Sequence, residues 1–498
     1  MMKKADKSPN AVVPCFGKLM GFGFVYAWGV CMWNTGALDI LGRGIPLNES
    51  VVWLTSAVVT PFACLAFAIV EKVGGGVFQA PRVAVAASAC ALTGTVLAAV
   101  FPLLPYPFGF VAQFVAAIFT GAGPVVLAVL WMVQLSRVDA MVVEEAMPLS
   151  FLVPLACGLI VPSLGFVAAV VVTALMPCIS CLLLGSVRSA IDDGLLPRAE
   201  PPFSFYGDGC SHAKILPTFV AAFFLFALSC PLPFLTEVNK VSGTAWLSLV
   251  GNVLAVVLAM GIVRYSRRVD LYAVCRAVAV PFVLSVFFVC FGDGAFRDVS
   301  SVLSSMVFPG IEIITGLYFV RLLQSGGKAL PAVFAGFSFV YAGILLGYML
   351  GFAMVDESRF GAVETRSWCL FLLGAFALVM AFVPKHDRRW MVLQEAFSPV
   401  FAGEVPQRLT EGVQTDGKAS VDAFAERCRA IAAEASLSKR ETEVFSLLAC
   451  GRSRPYIRDA LFLSKNTVAT HVKHIYAKLG IHSQQELIDL VREEDSYG

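Results

Sequence analysis

The chain has 498 residues, of which 58% are hydrophobic, 12% aromatic and only 14% charged, with a mean hydropathy of +0.78. Soluble domains carry about a quarter charged residues, so this composition excludes a wholly soluble protein and indicates a membrane protein with a soluble tail. The formal net charge of +2 averages two unlike regions and points to no partner.

Residues 1–16, with Lys3, Lys4 and Lys7, read as a cytoplasmic N-terminus leading uncleaved into the first span, because no small-residue cleavage site follows. Apolar stretches of about 20 residues, the length that crosses hydrocarbon, then recur. The first six lie at 17–38, 51–70, 83–101, 108–131, 147–164 and 166–186, filling a region 17–186. Met147 to Ser186 divides in two, since one helix of that length would run roughly 60 Å. A central cytoplasmic loop, 187–213, carries Asp192-Asp193, Pro197, Pro201 and Pro202. Six more spans follow within 214–384, at 214–235, 244–263, 271–291, 299–322, 331–355 and 367–384. Alternate loops on the N-terminal side hold 18 Lys and Arg against five on the other. The positive-inside rule therefore predicts a multi-pass plasma-membrane protein with both termini cytoplasmic.

Within the spans, Glu312 sits near the middle of the tenth, between Ile311 and Ile313. A carboxylate at that depth is costly. It reads either as a ligand-binding group or as a protonated acid hydrogen-bonded between helices. Asn34, Gln113 and Asn252 are span amides that serve either a ligand or interhelical hydrogen bonds. Trp28, Trp33, Trp53 and Trp131 read as interface anchors or packing, Arg276 as a snorkelling cation, and Glu144 and Glu145 as solvated at a loop end. Most of the 14 cysteines lie in apolar spans, and Cys178-x-x-Cys181 lacks a second pair or a histidine, so no metal or cofactor is expected. No phosphate-binding glycine loop, HExxH or Ser/His/Asp setting is present, and no enzyme is expected.

Six spans, a polar break and six more resemble the major facilitator transporters. That resemblance implies two six-helix bundles around a midplane cavity. Glu71-Lys72-Val73-Gly74 with Arg82, and the run 264–270, do not reproduce the signature loops of that family.

Residues 385–435 form a polar cytoplasmic linker. His386-Asp387-Arg388-Arg389-Trp390 suits an interfacial exit, and Val421 to Ala435 is a short amphipathic helix packing on the last domain or on a partner. That domain, 436–498, holds four short helices between Leu437 and Val491. Ser438 with Glu441 and Ser483 with Glu486 are capping boxes. Gly451 closes the first helix, Ser453 opens the second and Ser464 caps the third. On the third helix Val468, Val472, Ile475 and Leu479 form one apolar stripe. Opposite lie Asn466, Ala469, Thr470, Lys473 and Ala477, flanked by Lys465, His474 and Lys478. No Asp or Glu occurs between Ala460 and Gln485. A slim, acid-free, cationic helix suits the major groove of double-stranded DNA, where phosphates supply affinity and base edges discrimination. The alternative is a basic helix on the solvated face of a bundle.

The runs 437–444 (LSKRETEV), 447–451 (LLACG), 463–468 (LSKNTV) and 471–480 (HVKHIYAKLG) resemble the LuxR/NarL-type DNA-binding domain across the 55-residue stretch. The resemblance implies a helix-turn-helix reader with its third helix in the groove and its last helix, 483–491, forming a dimer contact. By position it implies that Lys465 and Thr467 hold phosphates while Ala469, Thr470 and Lys473 face base edges. Ala469 stands where the family commonly has lysine and offers only a methyl, which suits a thymine methyl. Arg454-Pro455 and Arg458 depart from the usual second helix, and no receiver-like α/β segment precedes the reader.

The expectation is an all-α chain, a polytopic bundle of about twelve spans joined to a four-helix DNA reader. It reads as a membrane-bound transcription regulator with DNA, the lipid bilayer and a small-molecule ligand as partners. The alternatives are a secondary transporter with a regulatory DNA-binding tail, and an inert anchor for a DNA reader.

Overall fold

The computed structural model describes residues 17–33, 51–199, 212–237, 245–266, 271–291, 295–324, 329–355, 362–382, 427–449 and 465–493, with Arg454, Ile457 and Leu461. They belong to two compact units: Met1–Pro201 with Asp208–Lys385, and His386–Gly498 with Pro202–Gly207. Among the described residues the regular elements are helices, and the one β-type contact is an isolated antiparallel bridge between Val138 and Arg198.

The first unit runs α1 (Gly21–Trp33), α2 (Val51–Gly74), α3 (Pro81–Val100), α4 (Phe108–Leu135), α5 (Ala140–Ser150), α6 (Leu152–Ile160) and α7 (Phe166–Asp192). It continues with α8 (His212–Ser229), α9 (Pro231–Glu237), α10 (Ala245–Ser266), α11 (Leu271–Phe291), α12 (Ala295–Gln324), α13 (Leu330–Val355) and α14 (Ala362–Phe382). Eight helices among the described residues are long and apolar enough to cross a membrane, and three shorter apolar ones run Leu247–Gly261, Val278–Cys290 and Arg366–Ala381. Described helices overlap the expected spans, but Gly21–Trp33, in the first, belongs to neither group.

The fifth span differs most from expectation, starting at Ala140 rather than Met147. Asp139 caps it by accepting the Met141 N–H at 2.9 Å, a start signal that hydropathy does not register. The helix breaks at Phe151, between Pro148 and Pro154, each of which removes a backbone donor. The Ser150 carbonyl comes so close to Gly23 of α1 that a Cβ there would sit 2.1 Å from it. Small residues do the same elsewhere. Gly121 and Gly123 of α4 bring its backbone against Ser56 of α2 and Ala87 of α3, the close approach that holds helices together in lipid.

The tryptophans are packing residues. Trp131 is fully buried and donates to Ser180 Oγ at 2.8 Å, and Ser180 donates on to the Gly21 carbonyl at 2.8 Å. Trp28 donates to Thr95 Oγ1 at 2.8 Å. Each interhelical bond contributes about 1 kcal/mol, and together they tie α1, α3, α4 and α7 into one half. In the other half α12 packs along α10 and α11, and α13 along α8 and α9. Between the halves α2 lies along α13, and α5 meets α10 and α12.

Glu144, expected to be solvated, is instead paired with Arg321 of α12, their side chains only 15% and 21% exposed. Beside them Gln324 donates to the Val138 carbonyl at 3.1 Å. The loop after α4 and the end of α12 are thereby joined across the two halves.

The second unit has its own core. A helix at 427–434 precedes α15 (Lys439–Ala449), α16 (Lys465–Leu479) and α17 (Gln484–Glu493). Cys428, Ile431 and Ala432 bury with Val444, Phe445 and Leu448 of α15, Ile457 and Leu461, and Leu487 and Val491 of α17. The amphipathic segment before the reader therefore packs on the reader itself. Its turn closes with Ser436 at φ 48 and Leu437 N–H on the Ala432 carbonyl at 2.9 Å. α16 ends the same way: Gly480, at φ 68, lets the Ile481 N–H reach back to the Tyr476 carbonyl at 3.0 Å.

Candidate nucleic-acid interface and intramembrane site

In the first unit, Glu312 lies deep in α12, about 26 Å from its start and about 18 Å from its end at 1.5 Å per residue. Ile311, Ile313 and Ile314 around it are buried, whereas Glu312 keeps partial exposure. No described residue forms an ion pair or hydrogen bond with it. Within electrostatic reach are Tyr26 of α1, Tyr341 of α13 and Cys230 at the α8–α9 junction. The other expected ligand amides do not join it in any described contact. Asn252 donates to the Ser248 carbonyl of its own turn at 2.7 Å, Gln113 lies half-buried five residues into α4, and Asn34 lies outside the described residues.

In the second unit, the capping boxes form as read. Ser438 N–H donates to Glu441 Oε2 at 2.8 Å and Glu441 N–H to Ser438 Oγ at 3.3 Å. At the last helix Glu486 N–H donates to Ser483 Oγ at 3.1 Å, while the Glu486 carboxylate takes the His482 N–H at 2.9 Å. The caps expected at Ser453 and Ser464, and the stop at Gly451, lie outside the described residues.

The faces of α16 divide as the stripe predicts. Val468, Val472 and Ile475 are buried and Leu479 packs beside them, whereas Ala469, Thr470, Lys473, His474 and Ala477 are exposed and Thr467 is half-buried. α16 begins at Lys465, but the side chains of Lys465 and Asn466 lie outside the described residues. Lys478, expected as a flanking cation, turns inward: its ammonium donates to Glu441 Oε2 at 2.7 Å and to the Ser436 carbonyl at 3.0 Å. His474 Nδ1 lies 3.6 Å from the same carboxylate. Lys478 and the Ser438 N–H hold the Glu441 carboxyl down to about 2 from its ordinary 4.5. A groove of about 490 Å³ runs beside α16, lined by Arg454, Ala469, Lys473, Tyr476 and His482 among others. Its cations and its freedom from acids make it attractive to phosphate.

Residues 435–491 match the family of bacterial regulatory proteins, luxR family. They are a LuxR-family helix-turn-helix domain. The Fimbriae Z protein of Escherichia coli (strain K12) is 46% identical over 56 residues, 11% of this chain and 27% of that one. A probable transcriptional regulatory protein NarL of Mycobacterium tuberculosis (strain CDC 1551 / Oshkosh) is 46% identical over 55 residues, 11% of this chain and 26% of that one. The chain thus matches about a quarter of the length of these curated relatives, all of it in the LuxR-family domain. The first unit has its likeness among solved transporters. A bacterial homologue of the iron transporter ferroportin aligns over 74% of this chain and 98% of its own, with 14% identity and a TM-score of 0.54. The first unit therefore has the fold of that protein. The major facilitator superfamily transporter FucP aligns over 76% of this chain and 99% of its own, at 14% identity and a TM-score of 0.47.

Sequence reasoning reached the exposed face of the LuxR-family domain but missed two features of it. Arg454 shares the groove with Lys473, a juxtaposition across two helices that no local pattern encodes. The inward turn of Lys478 depends on Glu441, 37 residues earlier. In the first unit it found Glu312 but not the tyrosines within its electrostatic reach.

Proposed function

We propose that this protein is a transcription regulator of the plasma membrane, with both termini cytoplasmic and the first unit crossing the bilayer twelve times. The observation that carries the reading is the sorting of α16, whose valines are buried while Ala469, Thr470 and Lys473 stand exposed on an acid-free face. Thr470 and Lys473 read base edges with Ala469 and Asn466. Lys465, Thr467 and Arg454 hold phosphates, and His474 and Lys478 support that face through Glu441. The last helix, 483–491, pairs two domains on DNA. The first unit binds a small molecule or senses the membrane, with Glu312 central and Asn34, Gln113 and Asn252 as further candidates. A signal acts on the domain only through different affinities for two states of the bundle.

The test replaces residues 1–385 with an unrelated membrane anchor and follows a reporter promoter. Loss of regulation with DNA binding intact is expected, while unchanged regulation would reduce the first unit to a tether. The fold shared with a transporter favours a second reading, transport with a regulatory tail. It predicts substrate flux in proteoliposomes that Glu312→Gln abolishes and deletion of 420–498 leaves unchanged.

A further inference from the structure

Resting on the reading that α16 enters a DNA groove, we propose that His474 is a pH-dependent phosphate contact, which adds one cation to the DNA-binding face when protonated and none when neutral. The imidazole sits at the flank of the exposed face of α16, its side chain 57% exposed. Thr467, about two turns earlier, lies on the same flank.

The orientation of the ring decides what it can do. Its Nδ1 lies 3.6 Å from Glu441 Oε1, within ion-pair distance. Glu441 stands on α15 with its side chain only 7% exposed, fixed by the Lys478 ammonium at 2.7 Å and the Ser438 N–H at 2.8 Å. Those partners hold its carboxyl down to about 2, so it is an anion wherever an imidazole changes charge, roughly pH 5 to 8. An anion beside Nδ1 keeps a proton on that nitrogen. Nε2 has no partner among the described residues and is left for a group outside the domain. In the neutral ring Nε2 is an acceptor, which has nothing to offer a phosphate oxygen. In the protonated ring it is a donor and the ring carries a charge, the combination that phosphate favours.

The charges around the ring leave that extra cation unspent. Glu441 and Lys478 cancel, so the trio is neutral before His474 takes up its proton and carries one positive charge afterwards. α16 packs on α15, and the charged or titratable groups near His474 are Glu441 from α15 and His471, Lys473 and Lys478 along its own helix. Arg440 and Glu443 of α15 pair with each other. No Asp or Glu occurs between Ala460 and Gln485, so α16 brings no second carboxylate to absorb the new charge.

The test titrates the full-length protein, in phosphatidylcholine nanodiscs, with a random-sequence DNA duplex over several salt concentrations, at about pH 8 and about pH 5.5. Any duplex suffices, because phosphate contacts carry no sequence information. On acidification the fall of log affinity with log salt should steepen by about 0.9, one further phosphate. At a fixed salt concentration, binding should tighten by roughly 2- to 10-fold. His474→Gln should abolish both changes, and His474→Arg, charged at either pH, should show the steeper slope at both. In nitrogen NMR of residues 420–498, whose core closes within that unit, the neutral His474 ring should carry its proton on Nδ1. A proton on Nε2 instead would overturn the proposal. So would an acid-induced gain that survives His474→Gln and disappears when another histidine is replaced. Salt-dependent binding indifferent to pH would overturn it and leave the DNA reading standing, whereas no binding at either pH would sink that reading as well.

Discussion

The carboxylate of Glu441 receives the Lys478 ammonium at 2.7 Å and the Ser438 N–H at 2.8 Å, so one side chain both caps α15 and fixes the far end of α16. Its titration follows from these partners. Because its carboxyl is lowered from 4.5 to about 2 in the folded domain, the stability it contributes is complete above about pH 4.5. That contribution is lost as pH falls toward 2. Thermal melts of residues 420–498 should therefore lose stability across that window, and Glu441→Gln should flatten the loss. Parallel curves for the two proteins would place the acid sensitivity elsewhere. At pH 7, Lys478→Met should cost about 1 kcal/mol, a value kept small because that ammonium is partly solvated. Under the proposed division of base and phosphate contacts, Lys473→Ala should relax sequence preference, whereas Lys465→Ala should weaken all sequences alike and lower the salt slope by about 1. Identical profiles for the two would contradict the division between base and phosphate contacts.

At the scale of elements, the helix at 427–434 is part of the DNA-binding fold, because Cys428 and Ile431 are buried against α15. Ile431→Ala should lower the stability of the 420–498 fragment by about 2–3 kcal/mol in denaturant titration; an unchanged midpoint would mean that this helix only rests on the surface. In the first unit, Glu144→Gln should leave Arg321 facing a neutral partner and lower the melting temperature of the full chain. The exchange Glu144→Arg with Arg321→Glu should recover much of that loss, and failure to recover any of it would assign the effect to the individual side chains.

These elements also show what a sequence discloses. The two capping boxes and the valine stripe of α16 were legible because each depends on residues three or four apart. A bundle of apolar, membrane-length helices was legible because hydrocarbon demands a fixed length of helix, and eight described helices meet that length. The early start of α5 escaped notice because its signal is one aspartate, Asp139, ahead of a run that carries Glu144 and Glu145. The partner of Glu144, Arg321, lies 177 residues away. Contacts of that kind are set by packing and leave no local pattern.

Over the whole molecule, a LuxR-family domain shares one chain with a unit that has the fold of a solved transporter homologue. If a ligand shifts the bundle between two states, its effect on DNA binding is bounded by its differential affinity for them, with each tenfold difference worth about 1.4 kcal/mol. The regulator reading rests on whether α16 reads bases. The most direct measurement is a titration of residues 420–498 against genomic DNA fragments at several salt concentrations. Tight binding to a small subset of fragments is predicted, with affinity falling linearly in log salt and the preference among fragments surviving at each concentration. Equal binding to every fragment, or none at any salt concentration, would contradict it.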